Sequence, residues 1–199
     1  MYPLHMQWSL GYHGNMRCLL RSTISKASQE TAEEQKWKGK ATTNLKDLTA
    51  EEVWPFFEDF LSIHKWLPGV DACSLVEGVS GEPGCVRYCT GTAVPTDGGE
   101  ESVISWVKEK LLSIDPVERC ISYEVIEGNV GFESYIATIK ISSGSEDTQE
   151  NGQSGSMIEW GYIVNPIPGW KSEDLASYID SILHTMVKRM EEALLQAKS

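Results

Sequence analysis

Two oppositely charged side chains, Glu109 and Arg87, are the residues of this sequence with the clearest capacity for chemistry. Glu109 lies in Ser102–Leu112, where an alternating pattern predicts a β-strand with successive side chains on opposite faces. Lys108 and Lys110 mark one face as solvent-exposed, because an unpaired buried ammonium costs free energy. Glu109 is therefore predicted to face the interior, where a carboxylate needs a partner.

Arg87 is the candidate partner, because it lies one strand upstream in the segment Gly84–Tyr88. The hydrophobic pattern does not decide which face of that strand carries Arg87. Neighbouring antiparallel strands nevertheless bring long side chains within reach of one another. The pair then forms a structural ion pair, an anchor for the polar end of a ligand, or an acid–base group that takes a proton from a bound substrate. The residue types leave these three alternatives open.

The remainder of the sequence predicts an α+β domain over residues 36–199. The pattern Thr49–Glu52 is a capping box that starts two short helices. Apolar residues recur at intervals of three and four in Ser172–Lys198, which predicts a long amphipathic helix. Closely spaced strands pair antiparallel, so we predict a curved seven-stranded antiparallel sheet around this helix. The predicted strands are Lys36–Leu45, Ala72–Glu77, Cys85–Gly91, Val103–Ser113, Cys120–Ile126, Phe132–Ile141 and Met157–Val164.

The inward faces of these strands combine apolar side chains with aromatic residues that carry polar groups. Charged residues mark the outer face of each strand, and the opposite positions are taken as inward. The inward candidates are Val107, Tyr123, Val125, Tyr135, Trp160 and Tyr162. Apolar walls with a few polar groups are typical of a ligand cavity. The alternative is a packed core whose tyrosine hydroxyls bond to backbone groups, and composition does not choose between them.

Charge and composition exclude several classes of function. A net charge of −12 argues against nucleic-acid binding and against an anionic membrane surface. No apolar run reaches the roughly 18–20 residues of a membrane span. The sequence has neither metal-ligand spacing nor a glycine-rich phosphate loop, so we predict no metal and no cofactor. Five scattered cysteines predict reduced thiols, a cytoplasmic location and, with the acidic surface, a monomer.

Residues 1–35 differ from the rest of the chain. Residues 1–29 contain Arg17, Arg21 and Lys26 but no aspartate or glutamate, as transit peptides do. Two interpretations follow: a disordered extension on a cytoplasmic protein, or a targeting segment that sends the protein to a plastid. A polar stretch then leads into the domain.

Several segments resemble the plant lachrymatory-factor synthases, members of the birch-pollen-allergen/START-like superfamily, also called polyketide cyclase/dehydrase and lipid transport proteins. The resemblance runs from about Lys36 to the C-terminus. It rests on Lys36–Lys40, Val53–Phe57, Leu75–Gly78, Gly84–Tyr88, Trp106–Leu111 and Gly131–Thr138. It implies a helix-grip fold, with the sheet wrapped around the long helix and an internal hydrophobic cavity.

The resemblance also implies roles for individual residues. Arg87 and Glu109 match the family's essential pair, Tyr135 matches a pocket tyrosine, and Phe132 joins the predicted ligand-binding residues. In such enzymes the glutamate shuttles a proton and the arginine steadies an oxygen while a sulfenic acid rearranges. This chain departs from the pattern at Val125, where a further pocket tyrosine is expected. We therefore predict a carrier or sensor for a small hydrophobic or amphipathic metabolite, with a cofactor-independent isomerase or cyclase as the alternative.

Overall fold

The computed structural model describes residues 36–93, 103–144 and 155–197, which contain one seven-stranded antiparallel sheet and a long C-terminal helix. The strands are β1 (Trp37–Leu45), β2 (Ala72–Glu77), β3 (Val86–Ala93), β4 (Val103–Asp115), β5 (Cys120–Gly128), β6 (Ile136–Ser143) and β7 (Ser156–Val164). Their order across the sheet is β1-β7-β6-β5-β4-β3-β2. The predicted extension over residues 1–35 lies outside the described residues.

The C-terminal helix α3 (Ser172–Ala197) supplies one side of the hydrophobic core. Its buried residues follow the predicted spacing of three and four, which places them on one face. They are Leu175, Ile179, Ile182, Leu183, Met186, Val187 and Met190. Burying a side chain of this size stabilises the fold by about 1.5–3 kcal/mol, so this face holds the helix against the concave side of the sheet. The predicted fold class is confirmed.

Three short helical segments connect β1 to β2. They are α1 (Ala50–Val53), α2 (Pro55–Glu58) and a 3-10 helix (Phe60–Lys65). The predicted capping box is confirmed, since the Glu52 N–H donates to Thr49 Oγ1 at 3.2 Å and the Thr49 N–H donates to Glu52 Oε2 at 2.9 Å. Proline at the start of α2 lacks an N–H to donate, which explains the break between α1 and α2.

Burial along the strands confirms the predicted inward and outward faces. On β4, the Glu109 side chain is 12% exposed whereas Ile104, on the other face, is 65% exposed. On β5 and β7, the predicted inward residues Tyr123, Val125, Trp160 and Tyr162 are buried. The lysines of β4 therefore identified the solvent face correctly, although that face also carries exposed apolar residues.

The prediction of reduced thiols is wrong for Cys73 and Cys89, which form a disulfide. These residues face each other directly on β2 and β3, with their Cα atoms 4.2 Å apart. The spacing of cysteines along the chain does not show which of them become neighbours across two strands. The bond joins the edge strand β2 to the rest of the sheet.

The described residues contain neither a membrane-spanning helix nor a cluster of metal-binding side chains. No helix in the described ranges has both the length and the apolar character needed to cross a bilayer. Within the same ranges, no three His, Cys, Asp or Glu side chains form a group able to hold a metal ion.

Candidate functional site

Arg87 and Glu109 form a buried ion pair between β3 and β4. They are direct partners in the antiparallel register, so both side chains project from the same face of the sheet. Arg87 Nε donates to Glu109 Oε2 at 2.6 Å, a charge-assisted hydrogen bond. The Arg87 side chain is only 3% exposed. The structure thus settles the face of Arg87, which the hydrophobic pattern left open.

Phe60 and Tyr123 also contact the guanidinium of Arg87. Its NH1 group donates to the backbone carbonyl of Phe60, at the start of the 3-10 helix. The guanidinium carbon lies 3.9 Å from the Phe60 ring centre and 5.3 Å from the Tyr123 ring centre, which adds cation–π attraction. Arg87 therefore fixes the position of Glu109, and its Nε and NH1 groups both donate to protein oxygens.

A cavity of about 360 Å³, with Glu109 in its wall, lies between the sheet and α3. Its walls are mainly apolar and aromatic, with Glu109 and the phenols of Tyr123, Tyr135 and Tyr178 among its polar groups. Trp170 and Tyr178 line it and are 39% and 44% exposed, so the cavity reaches the surface beside them. Such a lining, apolar with few polar groups, is suited to a small amphipathic molecule.

Most of the predicted site residues line this cavity. Those that do are Val107, Glu109, Tyr123, Phe132, Tyr135 and Trp160. Arg87, Val125 and Tyr162 are buried but do not belong to the lining. Arg87 contacts two residues of the lining, Glu109 through a hydrogen bond and Tyr123 through its ring, and Val125 is the β5 partner of Glu109 in the sheet register.

Tyr162 is outside the lining because its ring covers Gly39 on the neighbouring strand β1. The two residues are direct partners in the register, and a Cβ atom at position 39 would overlap the Tyr162 hydroxyl. The same ring stacks on Tyr135, with ring centres 6.4 Å apart and planes 8° apart. Tyr162 thus packs against Tyr135, a residue of the lining, without belonging to the lining itself.

The lining residues that were not predicted include three groups outside the strands. Ile179 and Ile182 belong to the inward face of α3, and the helical spacing already identified as buried would have supplied them. Trp170 and Tyr178 pack edge to face, with ring centres 5.6 Å apart, at the start of this helix. The segment Leu67–Val70 approaches the cavity as a loop and carries no periodic signal.

The loop containing Gly69 packs tightly on β3 at Gly91. A Cβ atom at Gly91 would overlap the Gly69 carbonyl oxygen, and Gly69 itself has a positive φ of 80°. The Asp71 N–H donates to the Thr90 carbonyl at 2.7 Å, and Thr92 Oγ1 donates to Asp71 Oδ2 at 2.9 Å. These contacts fix one wall of the cavity.

Burial keeps the cavity phenols protonated. Loss of hydration raises the pKa of Tyr123 and of Tyr135 well above the ordinary value, and the neighbouring Glu109 carboxylate raises both further. The Trp160 indole N–H beside the Tyr135 hydroxyl opposes this effect on the pKa of Tyr135 without cancelling it. That N–H makes no hydrogen bond of regular geometry within the described part of the chain. Both phenols are thus neutral hydrogen-bonding groups at physiological pH.

The raised tyrosine pKa values predict a loss of stability in alkali. Below about pH 10 the tyrosines are protonated in both the folded and unfolded states. Above it, the unfolded chain releases protons that the folded protein retains, so the free energy of unfolding should fall by about 1.4 kcal/mol per pH unit for each buried phenol. Urea unfolding between pH 8 and 11 measures this slope. Tyr135→Phe should make it shallower, and an unchanged slope would contradict the assignment.

Comparisons with known proteins agree with the observed architecture. Residues 37–194 match the family model described as polyketide cyclase / dehydrase and lipid transport. The fold resembles XoxI from Bacillus cereus, with a TM-score of 0.60 and 22% identity over 81% of this chain and 98% of that one. It also resembles major latex-like protein 151 from Panax ginseng, with a TM-score of 0.57 and 18% identity over 80% of this chain and 97% of that one.

A curated relative from Arabidopsis thaliana, MLP-like protein 34, is 29% identical over 108 residues, or 53% of this chain. The matched part is 30% of that relative's length. The solved structures establish the fold alone, whereas the family model covers most of the chain. The chain therefore belongs to the polyketide cyclase/dehydrase and lipid transport family.

Proposed function

We propose that this protein binds a small hydrophobic or amphipathic metabolite in its cavity, as a carrier or sensor, with Glu109 anchoring the polar end. The observation that carries the proposal is the position of Glu109, the residue of the buried ion pair that reaches the cavity wall. An ion pair that served only the fold would not need a cavity beside it. The family description, which includes lipid transport, supports the same class of ligand.

The aromatic walls suit this role. Phe132 stacks on Tyr135, with ring centres 5.1 Å apart, and Tyr135 in turn stacks on Tyr162. Stacked rings give a lining whose shape is fixed before a ligand arrives, which reduces the conformational entropy lost on binding. Tyr123 and Tyr135, held neutral by burial, would orient the ligand through their hydroxyls.

A second candidate is a cofactor-independent isomerase or cyclase of the lachrymatory-factor-synthase type. In this proposal Glu109 takes a proton from one atom of a sulfenic-acid-like or related substrate and returns it to another, so the protein ends unchanged. The contact between Arg87 and Glu109 favours this candidate, since it fixes the carboxylate within reach of the cavity. Arg87 would act as a positioning residue, because it is buried outside the lining and its Nε and NH1 groups donate to Glu109 and to the Phe60 carbonyl.

One experiment tests both candidates. The purified protein is incubated with a lipophilic plant-tissue extract, re-isolated and analysed by mass spectrometry for bound small molecules. Glu109→Gln is compared with wild type, and Glu124→Gln is the matched control, since Glu124 lies on β5 beside Tyr123. A molecule enriched on wild type and on Glu124→Gln, but weakly on Glu109→Gln, supports a carrier that anchors its ligand through Glu109.

Other outcomes separate the candidates. A molecule that accumulates only on Glu109→Gln, while wild type releases an isomer of the same mass, supports turnover. Enrichment on none of the three proteins would refute ligand binding in this cavity.

A further inference from the structure

The electrostatic character of the cavity restricts what it can bind. Among the lining residues that the structure describes, Glu109 is the only one with a formal charge at neutral pH. None of the lysines, arginines or histidines in the described ranges contributes to the lining. An anionic ligand would therefore meet a carboxylate and no cation at the polar end of the cavity.

Arg87 does not change this conclusion. It is 3% exposed, lies outside the lining, and donates to Glu109 and to the Phe60 carbonyl. Its positive charge offsets that of Glu109, so the pair presents a carboxylate as a hydrogen-bond acceptor with little net charge. A ligand ammonium would lose its hydration without gaining a full opposite charge, which also disfavours cations.

Four other polar side chains of the wall are consistent with a neutral ligand. Tyr123 and Tyr135 are protonated phenols, which can donate or accept a hydrogen bond. The Ser105 hydroxyl donates to the Gly91 carbonyl at 3.0 Å, and the Thr92 hydroxyl donates to Asp71. These two hydroxyl protons are therefore already used within the wall.

We propose that the cavity selects neutral apolar molecules that carry a hydrogen-bond donor, such as a hydroxyl, and rejects carboxylates of the same shape. This inference rests on the proposed binding function and specifies its ligand class. The donor bonds to Glu109, and the apolar body lies among the aromatic rings. Hydrogen bonds to a charged acceptor are among the stronger ones, whereas a ligand carboxylate would lose its hydration beside the acceptor oxygens of Glu109 without meeting a cation in the lining.

Three matched probes test the proposal by isothermal titration at pH 7: 2-naphthol, its methyl ether and 2-naphthoate. They share one ring system and differ in offering a donor, an acceptor only, or an anion. We expect 2-naphthol to bind wild type about tenfold or more tighter than 2-naphthoate, with the ether weaker than 2-naphthol. Glu109→Gln should bring naphthol and naphthoate within about threefold of each other, whereas Glu124→Gln should keep the wild-type preference.

The titrations of the wild-type protein test the proposed selectivity even if Glu109→Gln does not fold. Naphthoate binding as tightly as naphthol would overturn the proposed selectivity and leave the binding function in place. An ether that binds as well as naphthol would overturn the requirement for a donor. Binding of none of the three would refute the cavity as a general site for small aromatic molecules, and with it both proposals.

Discussion

Arg87→Met is expected to lower the free energy of unfolding by about 3–5 kcal/mol, because it leaves the Glu109 carboxylate buried without its partner. Methionine preserves much of the side-chain volume, so the loss reports the missing charge and hydrogen bonds rather than a large void. The Phe60 carbonyl also loses its donor. Urea unfolding followed by circular dichroism measures the difference.

An exposed ion pair on the same strand supplies the control. Lys108 Nζ and Glu127 Oε2 are also 2.6 Å apart, but their side chains are 36% and 56% exposed. Lys108→Met should cost about 1 kcal/mol or less, since water screens such a pair. The double variant Arg87→Met/Glu109→Leu should recover part of the loss, because no unpaired charge remains. If Arg87→Met were no more destabilising than Lys108→Met, the buried pair would not be an important part of the fold.

Gly91→Ala is the second substitution with a large expected effect. Its added methyl group would overlap the Gly69 carbonyl oxygen, which belongs to backbone and cannot rotate away as a side chain can. The overlap can be removed only if the loop containing Gly69 moves away from β3. That movement would break the hydrogen bond from the Asp71 N–H to the Thr90 carbonyl. We expect a loss of about 2–3 kcal/mol in the free energy of unfolding and weaker binding of any ligand in contact with this wall.

Gly161→Ala tests whether the effect comes from this close approach. Gly161 also lies within a strand, on β7, but a Cβ atom there would meet only the Thr138 carbonyl oxygen, at 3.8 Å. This substitution should be neutral or slightly stabilising, because alanine has less backbone entropy to lose than glycine. Thermal unfolding of both variants provides the comparison, and similar melting temperatures would contradict the predicted overlap.

The elements of the fold were predictable because their signals are local. The spacing of apolar residues from Leu175 to Met190 identifies the helix face without any knowledge of its partner. Strand alternation and two lysines were enough to place Glu109 on the inner face of β4. For Arg87 the local pattern gave no answer, and only the cross-strand register with Glu109 resolves its orientation.

The features that were missed depend on contacts between distant segments. Cys73 and Cys89 form a disulfide because the pairing of β2 with β3 places them opposite each other. The spacing of residues within a single strand does not predict that pairing. Tyr162 faces inward as predicted, yet its ring covers Gly39, a residue more than one hundred positions away in the chain. The face on which a side chain lies can thus be inferred from sequence. The residue that it contacts on the next strand can be identified only when the pairing register of the two strands is known.

The order of the strands across the sheet also has a consequence for folding. From β2 to β7, every pair of neighbours in the sheet is also consecutive along the chain, so each can close as a hairpin. Among the described strands, only β1 and β7 pair although they are far apart in sequence, from Trp37↔Val164 to Leu45↔Ser156. This pairing carries the largest loop-closure entropy in the sheet. A meander formed from successive hairpins can therefore precede it, with β1 completing the sheet last.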